Sequence, residues 1–183
     1  EKNLLINFHP ETLNKNYSIK FFNSFLNELK KLKNTNLIFT MSNSDVDGDY
    51  IISSIKKFSK KHKNFFLFKS IGQLNYLSLL KYVDGMVGNS SSGLLEMPSF
   101  KKGSINIGNR QLGRLKSTSV IDTNYDINEI KKSIKFLYSK KFKKILKFSK
   151  NPYGEGGASK KIVSILKKIK LKNILIKKFY LIS

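Results

Sequence analysis

Apolar positions recur along this chain in two alternating periods. Residues 4–8 (LLINF) make a short run of the kind that forms a buried strand, and His9-Pro10 ends it because proline cannot continue a central strand. From about Asn16, Ile19, Phe22, Phe25, Leu26, Leu29 and Leu32 follow the three-and-four spacing of an amphipathic helix. The pattern then repeats. A strand over 36–41 leads to a helix carrying Ile51, Ile52, Ile55 and Phe58, and a strand over 65–68 to a helix carrying Leu74, Leu77 and Leu80. A strand over 85–88, a short helix over 91–97 and a strand over 104–107 continue it. Such alternation predicts right-handed crossovers and an α/β, doubly wound parallel sheet of Rossmann-like type.

A last short strand at Val120-Ile121 precedes helical stretches carrying Ile127, Ile130, Ile134 and Leu137, then Phe142, Ile145 and Phe148. Asn151-Pro152-Tyr153-Gly154 breaks that run with turn residues. A final helix from about Ala158 is expected to turn Ile162, Ile165 and Ile169 inward and its lysines outward. No linker-like stretch divides the chain, so it reads as one domain over 1–170, followed by a tail over 171–183.

Charge enters next, because 35 Lys+Arg against 12 Asp+Glu give a formal net charge of +23. A balance this basic raises nucleic acid as a partner. Only two of the basic residues, Arg110 and Arg114, are arginine, and the lysines are spread through nearly every segment. Base readers use arginine forks and aromatics interleaved with a basic stripe, whereas these aromatics sit at helix-core spacings. Specific nucleic-acid binding is therefore not expected, and a lysine-driven nucleic-acid or anionic-surface binder stays as the non-enzyme alternative. The absence of cysteine excludes disulfides, thiolate metal sites and a cysteine nucleophile, and fits a reducing, cytoplasmic setting. No run of about eighteen apolar residues predicts a membrane span. The start at Glu1, without methionine, reads as a cut inside a longer protein.

In a parallel α/β domain ligands lie outside the carboxyl ends of the strands. Three loops there carry unusual chemistry. Residues 88–93 (GNSSSG) follow a strand and open a helix, so glycine freedom, serine hydroxyls and free N–H groups together describe a phosphate cradle; a merely capped helix start is the plainer alternative. Residues 107–114 (IGNRQLGR) hold both arginines, whose planar forks suit bidentate phosphate contacts as lysine does not. His9 ends the first strand, where a pKa near neutrality suits proton transfer, whereas His62 among lysines reads as exposed and inert. Residues 43–48 (NSDVDG) mimic the opening of a calcium loop, but Ser54 stands where a bidentate glutamate is required, so no metal is expected. Asn43 there is the residue expected to touch ligand, with Asp45 or Asp47 capping the next helix.

In order and spacing, Phe8-His9-Pro10, Ser42-Asn43-Ser44-Asp45, the 88–93 loop with Glu96 and Pro98, residues 105–114, and Asn151-Pro152-Tyr153-Gly154 resemble the C-terminal half of the UDP-N-acetylglucosamine 2-epimerase family. The GNSSSGLLE and NIGNRQLGR stretches look like its hydrolysing, sialic-acid-pathway branch. The resemblance implies the C-terminal nucleotide-binding domain of a two-domain GT-B enzyme. Ser90 and Ser91 would hold the diphosphate of UDP, Glu96 the ribose, Arg110 the phosphate from the opposite side, and Asn43 the nucleotide-sugar edge. Uracil would lie along residues 69–72, which include Ile71, and His9 would act as the phosphate-side or acid/base residue. The implied reaction expels UDP as the sugar C2 proton is removed, and water then adds to give N-acetylmannosamine, with no cofactor. The family's proton-abstracting carboxylates lie in the N-terminal domain, so this chain alone is expected to be inactive. That missing domain is the implied partner, on which the tail would pack, and the full protein is expected to be a homo-oligomer. One departure is Lys101-Lys102-Gly103, where the family commonly has glycine-threonine-proline. A hydrolysing epimerase for a UDP-diacetamido-sugar of the legionaminic acid pathway and a GT-B glycosyltransferase are the enzyme alternatives.

Overall fold

The computed structural model describes residues 1–10, 15–40 and 48–170. Along the chain come β1 (Lys2–Asn7), α1 (Lys15–Leu29), β2 (Thr35–Thr40), α2 (Gly48–Ser59), β3 (Phe65–Phe68), α3 (Gly72–Tyr82) and β4 (Gly85–Gly88). There follow α4 (Ser92–Leu95), a 3-10 turn (Met97–Phe100), β5 (Gly103–Ile107), β6 (Val120–Thr123), α5 (Ile127–Leu137), α6 (Lys140–Phe148) and α7 (Ala158–Lys168). Six strands pair in parallel in the order β3-β2-β1-β4-β5-β6. The order reverses between β1 and β4, and in sheets of this kind ligands bind beyond the carboxyl ends of the strands at that point.

Side-chain alternation along β1 shows why both faces are covered. Leu4, Ile6 and Phe8 enter the larger core, with Phe22 and Phe25 of α1, Ile51 of α2, Ile134 of α5 and Phe142 of α6. Leu5 enters the smaller core on the opposite side, with Leu80, Val83, Met86 and Met97. Phe8 stacks on Phe22 at 5.2 Å between ring centroids, which fixes the chain just before His9. Removing a buried phenylalanine of this kind costs about 3–5 kcal/mol. Polar contacts then locate the helices. Asp126 accepts the Glu129 N–H at 2.8 Å while Glu129 accepts the Asn124 N–H at 3.0 Å, capping α5. Burial pushes the Glu28 carboxyl up, but hydrogen bonds from Lys31 and Lys131 outweigh it and hold the group below its ordinary pKa, which ties α1 to α5.

Two expectations fail for geometric reasons. Phe148 is 83% exposed, because six residues beyond buried Phe142 a helix presents its side chain about 120° around from the core-facing direction. His62 is not fully exposed: it stacks against Phe58 and Phe65, at 5.9 and 5.4 Å, where the chain turns from α2 into β3.

Residues 1–153 form one compact unit and residues 154–183 a second. In the second, no residue of α7 is buried, and Ile162, Ile165 and Leu166 are more than half exposed, so the inward packing expected for this helix is not observed. Among the described residues of this unit α7 is the single helix or strand, and an apolar helix side needs a second layer to cover it.

Candidate functional site

Loops from the carboxyl ends of β1, β4 and β5 converge on Asn89. β4 reaches it through Gly88 at φ +149°, where an added Cβ would lie 2.0 Å from the Asn7 carbonyl oxygen; only glycine lets the two chains approach so closely. Asn89 has no solvent exposure. Its side chain clasps the His9 backbone from both sides, Oδ1 accepting the His9 N–H at 2.7 Å and Nδ2 donating to the His9 carbonyl at 2.8 Å. Its N–H donates to the Asn7 carbonyl, and its own carbonyl accepts from Arg110 Nη1 at 3.2 Å and Gln111 Nε2 at 2.8 Å. His9, the serine turn and Arg110 are thereby brought to one place.

The serine turn is more than a capped helix start. Ser91 stands at the N-cap of α4, yet its hydroxyl makes no capping bond, and Ser90 Oγ accepts only a long bond from the Ser92 N–H, at 3.3 Å. The N–H groups of Ser90 and Ser91 donate to no group among the described residues. Since α4 is a single turn, its dipole adds little, and these free donors are what an anion would meet.

Below the turn lies a polar cluster. Tyr76 Oη donates to Ser92 Oγ at 2.7 Å. Burial raises the Tyr76 pKa and the nearby Glu96 charge raises it further, against the Ser92 and Asn7 hydrogen bonds, so the phenol remains a donor at neutral pH. Glu96 Oε2 is buried without a hydrogen-bond partner, an acceptor suited to a ligand hydroxyl. Ile71 directly precedes Gly72 at the start of α3 and lines a groove of about 540 Å³ with Phe68, Ser70, Asn75, Leu79 and Tyr82.

The arginine loop is shaped by Gly108 at φ +72°, over which the Tyr125 ring packs so closely that a Cβ would lie 2.5 Å from it. Arg110 reaches the site, whereas Arg114 remains exposed and donates only its backbone N–H, to the Gln111 carbonyl. At the unusual 101–103 loop, Lys101 adopts φ +53° and its ammonium donates to the Ser149 carbonyl, so the departure from the family pattern is accommodated by a tie to the end of α6. Asn151 braces the floor, donating to the Leu95 carbonyl at 2.8 Å and to Ser99 Oγ at 2.7 Å.

Of the residues expected from sequence, His9, Ser90, Ser91 and Arg110 therefore meet around Asn89, with Glu96 joined through Tyr76 and Ser92. Ile71 lies at the start of the helix that carries Tyr76. Asn43, Asp45 and Asp47 lie outside the described residues. Among the described residues no cluster of His, Asp or Glu could hold a metal ion, and no helix is long and apolar enough to cross a membrane. Sequence reasoning missed Asn7, Tyr76, Asn89 and Gln111. The available signal was polarity at strand ends, where Asn7 interrupts an apolar run and Asn89 directly follows one.

The sequence matches the family model described as UDP-N-acetylglucosamine 2-epimerase over residues 1–167. It is 42% identical over 177 residues to the GDP/UDP-N,N'-diacetylbacillosamine 2-epimerase (hydrolyzing) of Campylobacter jejuni, covering 96% of this chain and 46% of that protein. It is 41% identical over 175 residues to the polysialic acid biosynthesis protein P7 of Escherichia coli, covering 94% and 44%. The chain thus spans somewhat under half the length of these curated relatives. Among solved structures it resembles the UDP-GlcNAc 2-epimerase of Neisseria meningitidis bound to UDP-GlcNAc, with a TM-score of 0.65 at 21% identity over 92% of this chain and 44% of that one. The S. aureus MnaA–UDP co-structure gives a TM-score of 0.71 at 16% identity over 91% and 44%. At these identities the structural likeness is one of fold.

Proposed function

This chain belongs to the UDP-N-acetylglucosamine 2-epimerase family, and from that membership we propose that it is the C-terminal, UDP-binding half of a hydrolysing 2-epimerase of GT-B architecture. One observation carries the reading: the Arg110 guanidinium and the free Ser90 and Ser91 N–H groups are organised around a single peptide, so that fixed donors meet a diphosphate without reorganising. Glu96 takes the ribose hydroxyls, the residues around Ile71 take the uracil, and Asn43 borders the sugar. The substrate is UDP-N-acetylglucosamine, converted to UDP and N-acetylmannosamine.

In this reading the chain's part in the reaction is electrostatic. As the glycosidic C–O bond breaks, negative charge collects on the leaving diphosphate, where the serine N–H groups and Arg110 stabilise it. His9, held by Asn89 at the end of β1, is the acid/base or phosphate-side residue. Carboxylates for proton abstraction come from the other half, onto which residues 171–183 pack, in a protein that forms homo-oligomers and works in the cytoplasm. The chain alone therefore binds UDP and turns nothing over.

A second reading on the sugar draws on the Campylobacter relative, whose name specifies a diacetamido sugar and whose identity slightly exceeds that of the polysialic acid relative. Calorimetry tests the shared core of both. UDP should bind more tightly than UMP, because the second phosphate meets the serine turn and Arg110; equal affinities would contradict the assignment. Product analysis of the longer enzyme, offered each UDP-sugar, separates the two sugars.

A further inference from the structure

Gln111 stands in the same loop as Arg110, yet it is 1% exposed and its side chain reaches the Asn89 carbonyl at 2.8 Å, closer than the arginine's 3.2 Å. A planar trans peptide points its carbonyl and its N–H in opposite directions, and this chain has no cis bond among the described residues. With the Asn89 carbonyl turned toward Gln111 and Arg110, the Ser90 N–H must point the opposite way, where it is free. Were that carbonyl released, rotation of the Asn89–Ser90 peptide would exchange the two groups and offer an anion a carbonyl oxygen in place of a donor. The rest of Asn89 cannot prevent this, because its other bonds fix its side chain and its own N–H, not the following peptide. We propose that Gln111 is a positioning residue: through the Asn89 carbonyl it locks the Asn89–Ser90 peptide in the orientation that aims the Ser90 N–H at the diphosphate. Arg110 shares that carbonyl but has phosphate to bind as well, so Gln111 is the dedicated lock. Its Oε1 is buried without a hydrogen-bond partner, an unfavourable arrangement kept at a buried amide whose donor end is in use.

This inference rests on the diphosphate reading of the serine turn, and the test separates the two. Backbone amide shifts of the full 183-residue chain are followed by NMR during titration with UDP and, separately, with uridine. In the unsubstituted chain the Ser90, Ser91 and Ile71 amides should move with UDP. In Gln111→Met, which keeps volume and loses the donor, the Ser90 response should largely vanish and UDP affinity fall about tenfold, as for loss of one oriented donor to an anion. Uridine affinity and the Ile71 response should be unchanged, which a general loosening of the fold would not allow. Gln111→Leu, which also lacks the donor and brings no charge, should behave alike and stands in should the methionine variant not fold. A wild-type Ser90 response in either folded variant, or equal losses for UDP and uridine, would overturn the positioning role. No serine response in the unsubstituted chain would overturn the diphosphate reading before Gln111 is touched.

Discussion

Replacing Asn89 by alanine should cost this protein more than most single changes to its core. The residue is fully buried, and its side chain accepts the His9 N–H at 2.7 Å and donates through Nδ2 to the His9 carbonyl at 2.8 Å. Alanine removes donor and acceptor together and takes a hydrogen bond from each of two buried backbone polar groups. Each such group costs about 1–3 kcal/mol, and a water entering the vacated space would recover part, so the expected loss is about 2–4 kcal/mol. Against a total stability of about 5–15 kcal/mol, that is a large fraction. Urea unfolding followed by far-ultraviolet circular dichroism should show the midpoint lowered by roughly 1–2 M, given slopes of about 1–3 kcal/mol/M. Asn109→Ala is the control, because Asn109 is exposed in the neighbouring loop and should change stability by no more than about 0.5 kcal/mol. If both variants unfold alike, Asn89 is not the residue that joins the three loops, and the geometry of the site has another origin.

Other consequences follow from the same contacts. Arg110→Lys keeps the charge but loses the fork, so UDP binding should weaken by about 1–3 kcal/mol in calorimetry, whereas Lys144→Ala on the exposed side of α6 should change it little. Gly88→Ala should fail to yield soluble, folded protein on gel filtration, since its Cβ would fall 2.0 Å from a backbone oxygen that no rotamer change can move. Burial, with help from the Asp84 charge, pushes the Tyr138 pKa up to about 12, and the folded state therefore holds that proton more tightly than the unfolded chain does. Its contribution is complete below the ordinary tyrosine pKa of about 10 and is lost as pH rises from there toward 12. Tyr138→Phe should remove that share of the alkaline decline in melting temperature, and should not destabilise at neutral pH, because the buried hydroxyl has no partner.

The fold was legible because a parallel sheet writes itself as short apolar runs alternating with helical periodicity, and four crossovers of that kind leave few other arrangements. Strand ends shifted by a residue or two, as at Lys2–Asn7 and Gly103–Ile107, since ladder pairing and not hydrophobicity sets where a strand stops. Ser90, Ser91 and Arg110 were legible as chemistry because glycine-flanked serines and rare arginines stand out against a lysine background. Asn89 and Gln111 were not. Their part depends on a backbone carbonyl reached from 21 and 22 residues away, and nothing in local composition distinguishes a buried amide that organises a loop from one that merely occupies it. Phe148 and the apolar side of α7 misled for a related reason, because periodicity records which side of a helix is apolar and not whether anything covers it.

The most direct measurement is a crystal structure of this chain with UDP. The account predicts the diphosphate against the Ser90 and Ser91 N–H groups with the Arg110 guanidinium on its far side, the ribose hydroxyls on Glu96 and the uracil beside Ile71. A nucleotide lying along the lysines of α6 or α7, or a diphosphate out of reach of both the serine turn and Arg110, would contradict it.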